Sequence, residues 1–211
     1  MWDRMLNPKT SEEESLDIFM FRFVKTFDPH DEKCPIKYMP EKPHLRDFNK
    51  AFNRVRLLGI PKSRQIHATW WGVGAYCWDT YRHIGRHTLF KSIDKQHAGL
   101  GKLMLLWRAK FIHENLPECI RPRINIKRKD YALEYPDTMG HIQAMSMEED
   151  ASRSPTVTGV LDDELALQMY GEGGYTSVQP ALGTTGRYVA LSTYKGLTFF
   201  KRLMYDEDNQ D

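Results

Sequence analysis

A chain of 211 residues, 41% hydrophobic and 12% aromatic, is long enough to bury one sizeable core, which excludes disorder throughout. Thirty Lys and Arg against 28 Asp and Glu leave a net charge of +2, so neither a strongly basic nucleic-acid coat nor an acidic solvating chain is expected, and any nucleic-acid contact must be a local patch. No run approaches the roughly 18 apolar residues of a spanning helix, and no apolar secretory core opens the chain, so a soluble, unexported protein without a membrane partner is expected.

The first 44 residues hold an acidic cluster (Glu12, Glu13, Glu14), an aromatic stretch (Phe19, Phe21, Phe23, Phe27) and a proline-rich run with Pro29, Pro35, Pro40 and Pro43, which predict a short helix followed by an extended arm. From about Leu45, strands and helices alternate, the pattern of crossover units in a mainly parallel α/β sheet. A strand is predicted over 55–60, a polar turn over 61–68, a helix over 69–81 and a short strand over 88–93. Leu100, Leu103, Met104, Trp107, Phe111 and Ile112 fall close to i, i+3, i+4 spacing and predict one amphipathic helix over 95–115, closed by Pro117. Three short strands over 123–127, 131–135 and 141–147, separated by turn-like K-D and D-T-M-G, read as a small antiparallel insertion or sheet edge. An apolar strand over 157–161 runs into Asp162, Asp163 and Glu164, and a helix is predicted over 165–170. A buried strand over 187–191 ends in Ser192 and Thr193, a helix follows over 197–205, and the acidic tail 206–211 is expected to fray.

Three polar clusters sit at predicted strand ends, where open α/β sheets bind ligands. Lys62, Ser63, Arg64, Gln65, Ile66, His67, Ala68 and Thr69 lie between a strand and a helix. A phosphate-cradling loop occupies that place, with backbone N–H groups and the helix dipole facing the anion. The usual ending is Gly-Lys-Ser/Thr, whereas here it is His67, Ala68 and Thr69; the familiar lysine is missing, and a side chain replaces a glycine where the backbone is expected to be strained. Asp162, Asp163 and Glu164 have the layout that puts one carboxylate on a magnesium shell and another beside an attacking water, and equally the layout of a turn or helix N-cap. Ser192 and Thr193 either sense a phosphate or satisfy backbone groups at a strand end.

Taken in order, these clusters resemble the ATPase domain of the large terminase subunit of tailed bacteriophages, over roughly residues 45–203. K-S-R-Q-I-H-A-T-W at 62–70 resembles the terminase form of the phosphate loop, including a branch in which the lysine moves to the front, where Lys62 stands. L-D-D-E-L-A-L-Q at 161–168 resembles its acidic strand end, and Q-P-A-L-G-T-T-G-R-Y-V-A-L-S-T-Y-K-G at 179–196 resembles the stretch leading to its Ser-Thr coupling motif. The resemblance implies a P-loop NTPase-like fold, with 1–44 as an N-terminal arm and 45–205 as the ATPase domain. It implies ATP and Mg²⁺ as cofactors, with Lys62 on the phosphates, Thr69 and Asp163 on the metal, Glu164 on the water, and Ser192 and Thr193 in coupling. Arg153 would act across a subunit boundary. The implied partners are double-stranded DNA, a procapsid portal, a small terminase subunit and further copies in a ring, in the host cytoplasm. An RNase H-like nuclease, which the resemblance would place downstream, has no room after Thr193, so no DNA cleavage is expected.

Other features carry less. Arg121, Arg123, Lys127, Arg128 and Lys129 form the one local basic cluster, a track for DNA phosphates or a solvated hairpin. Trp70, Trp71, Tyr76, Trp78 and Tyr81 are expected to pack between helix and sheet rather than stack on a base. G-L-G-K at 99–102 lacks the first glycine and the hydroxyl of a phosphate loop, and His83 with His87 lacks a third metal ligand. Cys34, Cys77 and Cys119 form no C-x-x-C pair and read as free thiols of a reducing compartment. The alternatives to a working motor are an impaired or truncated terminase-like assembly module and a helicase-like DNA remodeller.

Overall fold

The computed structural model describes residues 5, 7–63, 66–129, 131–145, 156–193 and 198–205. Helix α1 (Glu12–Arg22) starts at Ser11, whose hydroxyl accepts from the Glu14 N–H, and three glutamates in its first turn face the positive end of the helix dipole. A two-stranded antiparallel hairpin follows, β1 (Lys25–Phe27) and β2 (Ile36–Tyr38), in place of the expected extended arm. Helix α2 (Pro43–Arg54) opens on proline, which has no N–H to leave unbonded in a first turn, and it runs across the expected arm boundary at 44.

Seven further strands form one sheet: β3 (Leu57–Pro61), β4 (His87–Lys91), β5 (Asn125–Lys127), β6 (Ala132–Tyr135), β7 (Gly140–Ala144), β8 (Gly159–Asp163) and β9 (Arg187–Ser192). Their spatial order is β3-β9-β8-β4-β7-β6-β5. The strands from β3 to β7 pair in parallel, while β6 and β5 add an antiparallel edge. The remaining helices are α3 (Ala68–Arg82), α4 (Lys95–Ala98), α5 (Leu105–Glu114), α6 (Gly171–Leu182) and α7 (Phe199–Tyr205). The α/β class, the mainly parallel sheet and the antiparallel edge are therefore as expected from the sequence.

Alternation along the central strands builds two apolar layers. Leu161 and Leu191 join α1, α3 and α5 in one cluster, whereas Val160 and Ala190 join α6 and α7 in the other. Helix α3 is buried over most of its length, and its large aromatic residues pack in the core as expected. At Gly72 a Cβ would lie 2.8 Å from Leu161 Cδ1 and 3.2 Å from Leu191 Cδ1, so the bare α-carbon lets α3 settle directly on β8 and β9. The N-terminal helices belong to the same body. Trp71 Nε1 donates to Asn49 at 2.7 Å, Asn49 donates to Asp17 at 2.6 Å, and Trp78 Nε1 donates to Ser15 at 3.0 Å.

Several elements depart from expectation for local reasons. The helix predicted over 95–115 divides into α4 and α5, because Gly99 and Gly101 are weak helix formers and Leu103 adopts a left-handed φ of 69°. The helix predicted over 165–170 is a single 3₁₀ turn, Leu165–Leu167. Helix α6 was hidden by Gly171, Gly173, Gly174 and an internal Pro180, all poor helix formers. The strand predicted over 157–161 is shifted and carries both aspartates, while the one over 55–60 begins later, at Leu57. Met147 and Leu197, at the ends of expected elements, lie outside the described residues.

Candidate functional site

The parallel strands β3, β9 and β8 end side by side, and three of the singled-out segments meet there. Beyond β3 the Lys62 N–H donates to the Ser192 carbonyl at 2.8 Å, which fixes the start of the loop against β9. The Lys62 ammonium then reaches across to Thr69 Oγ1 at 2.9 Å, to Asp163 Oδ1 at 2.5 Å and to Glu164 Oε1 at 3.0 Å. Thr69, in the first turn of α3, donates its hydroxyl to Asp163 Oδ2 at 3.1 Å. Lys62 and Asp163 are nearly enclosed, with side chains 8% and 9% exposed. Enclosure raises the Asp163 carboxyl above the usual aspartate range; the Lys62 charge opposes that shift without cancelling it.

Glu164 adopts a left-handed backbone, φ 59° and ψ 37°, costly for a residue with a side chain and sustained only by its surroundings. One carboxylate oxygen faces Lys62, and the other, Oε2, is buried with no hydrogen-bond partner among the described residues. His67, at the foot of α3, has φ 65°, the conformation for which phosphate loops use glycine, so the strain expected there is present. Its imidazole is pushed below the ordinary histidine range by burial first and then by Lys42 and His44, and it is therefore neutral near pH 7. His44 Nε2 lies 3.1 Å from the Ile66 carbonyl, so α2 braces the loop. Ser63 is exposed, Ala68 is buried, and Arg64, Gln65 and Arg153 lie outside the described residues.

Ser192 is buried at the end of β9, where its hydroxyl accepts from the Ala166 N–H at 2.9 Å and donates to the Thr193 carbonyl at 3.2 Å. It therefore ties the turn after β8 to the strand that holds Lys62. One group at this end escaped the sequence reading. Arg108, on α5, stacks over the Trp70 ring at 4.7 Å and donates Nε to the Leu103 carbonyl at 2.8 Å. Burial lowers its guanidinium to about 10, while the Asp163 charge pulls the other way. The only hint was one arginine within an apolar helical run. Asp162, beside Asp163 but facing the opposite side of the sheet, accepts from the Tyr188 hydroxyl at 2.5 Å and from the Gln168 amide.

The basic cluster does not join this site. It lies on the β5–β6 edge, at the far side of the sheet from β3. Arg121 donates to the Leu116 carbonyl, Arg123 pairs with Asp137, and Lys127 lies 3.7 Å from Glu134; Arg128 and Lys129 sit in an exposed turn. His83 contacts Asp79 and Glu12, whereas His87 stacks on His141 with ring centroids 4.7 Å apart, so the two histidines have separate surroundings. Cys34 and Cys119 are exposed free thiols, and Cys77 is buried with its thiol pushed up to about 12. Among the described residues, no helix is long and apolar enough to cross a membrane.

No protein-family model matches the chain, and no curated protein matches it by sequence. Solved structures do match. The large terminase of bacteriophage HK97 superposes with a TM-score of 0.67 over 86% of this chain at 13% identity. The ATPase domain of the large terminase of Thermus phage P74-26 superposes with a TM-score of 0.60 at 17% identity, covering 79% of this chain and 69% of that one. A large terminase from a thermophilic bacteriophage, solved in complex with ADP, gives a TM-score of 0.50 at 11% identity, covering 65% of this chain and 33% of that one. The chain spans 38% of the length of the HK97 protein. It shares the fold of phage large-terminase ATPase domains.

Proposed function

We propose that this chain is an ATP-hydrolysing motor domain of the terminase type, acting in the host cytoplasm to drive double-stranded viral DNA into a procapsid. The observation that carries the reading is the meeting of Lys62, Thr69, Asp163 and Glu164 at adjacent ends of parallel strands. That arrangement occurs in a fold shared with large-terminase ATPase domains, one of them solved with ADP.

Phosphoryl transfer asks a protein mainly for positioning and charge stabilisation. Lys62 is the cation for the phosphates, and on nucleotide binding it exchanges its carboxylate contacts for phosphate oxygens. Glu164 Oε2, buried and without a hydrogen-bond partner among the described residues, is the acceptor that orients or deprotonates the attacking water. A divalent cation fits the pair of oxygen donors formed by Thr69 and Asp163, which lie 3.1 Å apart. Magnesium held there would neutralise charge on the phosphate oxygens. Ser192 links the acidic turn to β9 and is suited to pass a change at Glu164 into the sheet.

In this reading Arg153 completes the site of a neighbouring copy in a ring, in company with a procapsid portal and a small terminase subunit. Such arginines contribute about 10³ to 10⁵ in rate, so a separated monomer turns over slowly. The test is single-turnover hydrolysis by Glu164→Gln. Turnover should fall at least about 100-fold while Mg-ATP affinity stays within about threefold. Turnover equal to the unmutated chain contradicts the assignment.

A further inference from the structure

Glu164 has a left-handed conformation, and a buried polar group lies beside its turn on the opposite face of the sheet from Lys62 and Thr69. Successive residues of β8 point to opposite faces, so Asp163 joins Lys62 and Thr69 while Asp162, fully buried, faces α6. Asp162 accepts from the Tyr188 hydroxyl on β9 and from the Gln168 amide, and buried Lys91, at the end of β4, lies 3.5 Å from it. The same Gln168 amide nitrogen also donates to the Asp163 carbonyl at 3.2 Å. Gln168 leaves the 3₁₀ turn that begins after Glu164 and returns to β8, so it closes the loop over 164–168 like a clasp. Within the clasp the Leu167 N–H donates to the Glu164 carbonyl at 2.9 Å, and the Ala166 N–H donates to Ser192.

We infer that Gln168, anchored by Asp162 and Tyr188, is a positioning residue that holds Glu164 in its strained backbone and aims its carboxylate at the attacking water. The inference rests on the reading of Glu164 proposed above. Without the amide, the turn loses its tie to β8 and keeps only the Ala166–Ser192 bond to β9, which leaves Glu164 freer to relax to an ordinary backbone. Three strands enter the anchor, because Lys91, Asp162 and Tyr188 come from β4, β8 and β9. The carboxylate is thereby referenced to the sheet and not to the loop alone.

The test compares the whole chain with Gln168→Met, which keeps the length and removes the donor, and with Tyr188→Phe, a milder change that preserves the ring. Amide hydrogen exchange at Ala166 and Leu167 should accelerate at least about tenfold in Gln168→Met and severalfold in Tyr188→Phe, with Val160 and Leu161 in β8 unchanged. Single-turnover hydrolysis should fall at least about tenfold in Gln168→Met while Mg-ATP affinity stays within about threefold. Unchanged exchange at Ala166 and Leu167 overturns the clasp, whatever the chain does with nucleotide. Faster exchange with unchanged turnover, or affinity lost in step with turnover, overturns the positioning role. If the unmutated chain binds Mg-ATP but does not hydrolyse it, the role of Glu164 falls, and the positioning role with it. That outcome is told apart from failure of the clasp by the exchange result.

Discussion

Lys62 neutralises two acids that would otherwise face each other in a nearly enclosed pocket. Removing it leaves Asp163 and Glu164 as close like charges, and a buried partner lost from such a pair costs about 3 to 5 kcal/mol. Lys62→Met should therefore lower the denaturation midpoint measurably, and Lys62→Met combined with Asp163→Asn should recover part of the loss in urea unfolding; a double variant no more stable than the single one contradicts the coupling. The loop's residue types and place were legible, but the ion-paired ammonium was not. Nothing in K-S-R-Q-I-H-A-T says that Lys62 folds back 101 positions along the chain to Asp163. Gln168 was visible as a letter in the acidic motif, yet its return to Asp162 depends on the 3₁₀ turn that sequence periodicity read as a longer helix.

At the scale of elements, β8 and α5 make separate demands. Gly159 opens β8 under the Tyr76 ring; a Cβ there would lie 2.4 Å from Tyr76 Cε1, and the Tyr76 hydroxyl donates to the carbonyls of Val160 and Arg187. Gly159→Ala must displace that ring and should cost about 1 to 3 kcal/mol in urea unfolding, whereas a loss below about 0.5 kcal/mol contradicts the packing. On α5, His113 is 4% exposed beside Tyr81 and Tyr135, and burial lowers its imidazole to about 4 from an ordinary 6.5. Its folded-state value is depressed, so the fold keeps a neutral imidazole. The unfolded chain takes up the proton first, and stability contributed above pH 6.5 is lost as pH falls toward 4, on the order of 3 kcal/mol. His113→Phe should flatten that part of the stability profile, and an unchanged profile would assign the acid sensitivity elsewhere. The strands of the seven-stranded sheet were legible within about three residues, but the hairpin of β1 and β2 was not. Helix α6 was not, because burial against β8 and β9 outweighs the low propensity of its glycines and proline.

Over the whole molecule, the parallel sheet brings the ends of β3, β9 and β8 together although the chain visits them far apart. The succession of loop, acids and hydroxyls was legible from the alternation of elements and their polar ends. The membership of the first 44 residues in the same core was not, because it runs through pairs such as Asn49 with Asp17 and Trp78 with Ser15 that no local pattern announces. Asn49→Leu, which strands the Trp71 N–H and the Asp17 contact, should cost about 1 to 3 kcal/mol and unfold the chain in one transition. A separate early transition of the N-terminal helices would contradict a single body. The central claim is that the strand ends form a nucleotide site with Lys62 as its cation. Calorimetric titration of Mg-ATP, or a slowly hydrolysed analogue, into the unmutated chain and Lys62→Ala tests it most directly, because binding does not need a neighbour's arginine. The account predicts binding by the unmutated chain and a roughly ten- to hundredfold weaker affinity in Lys62→Ala. A folded, unmutated chain that binds no nucleotide, or a Lys62→Ala variant that binds as well, would contradict it.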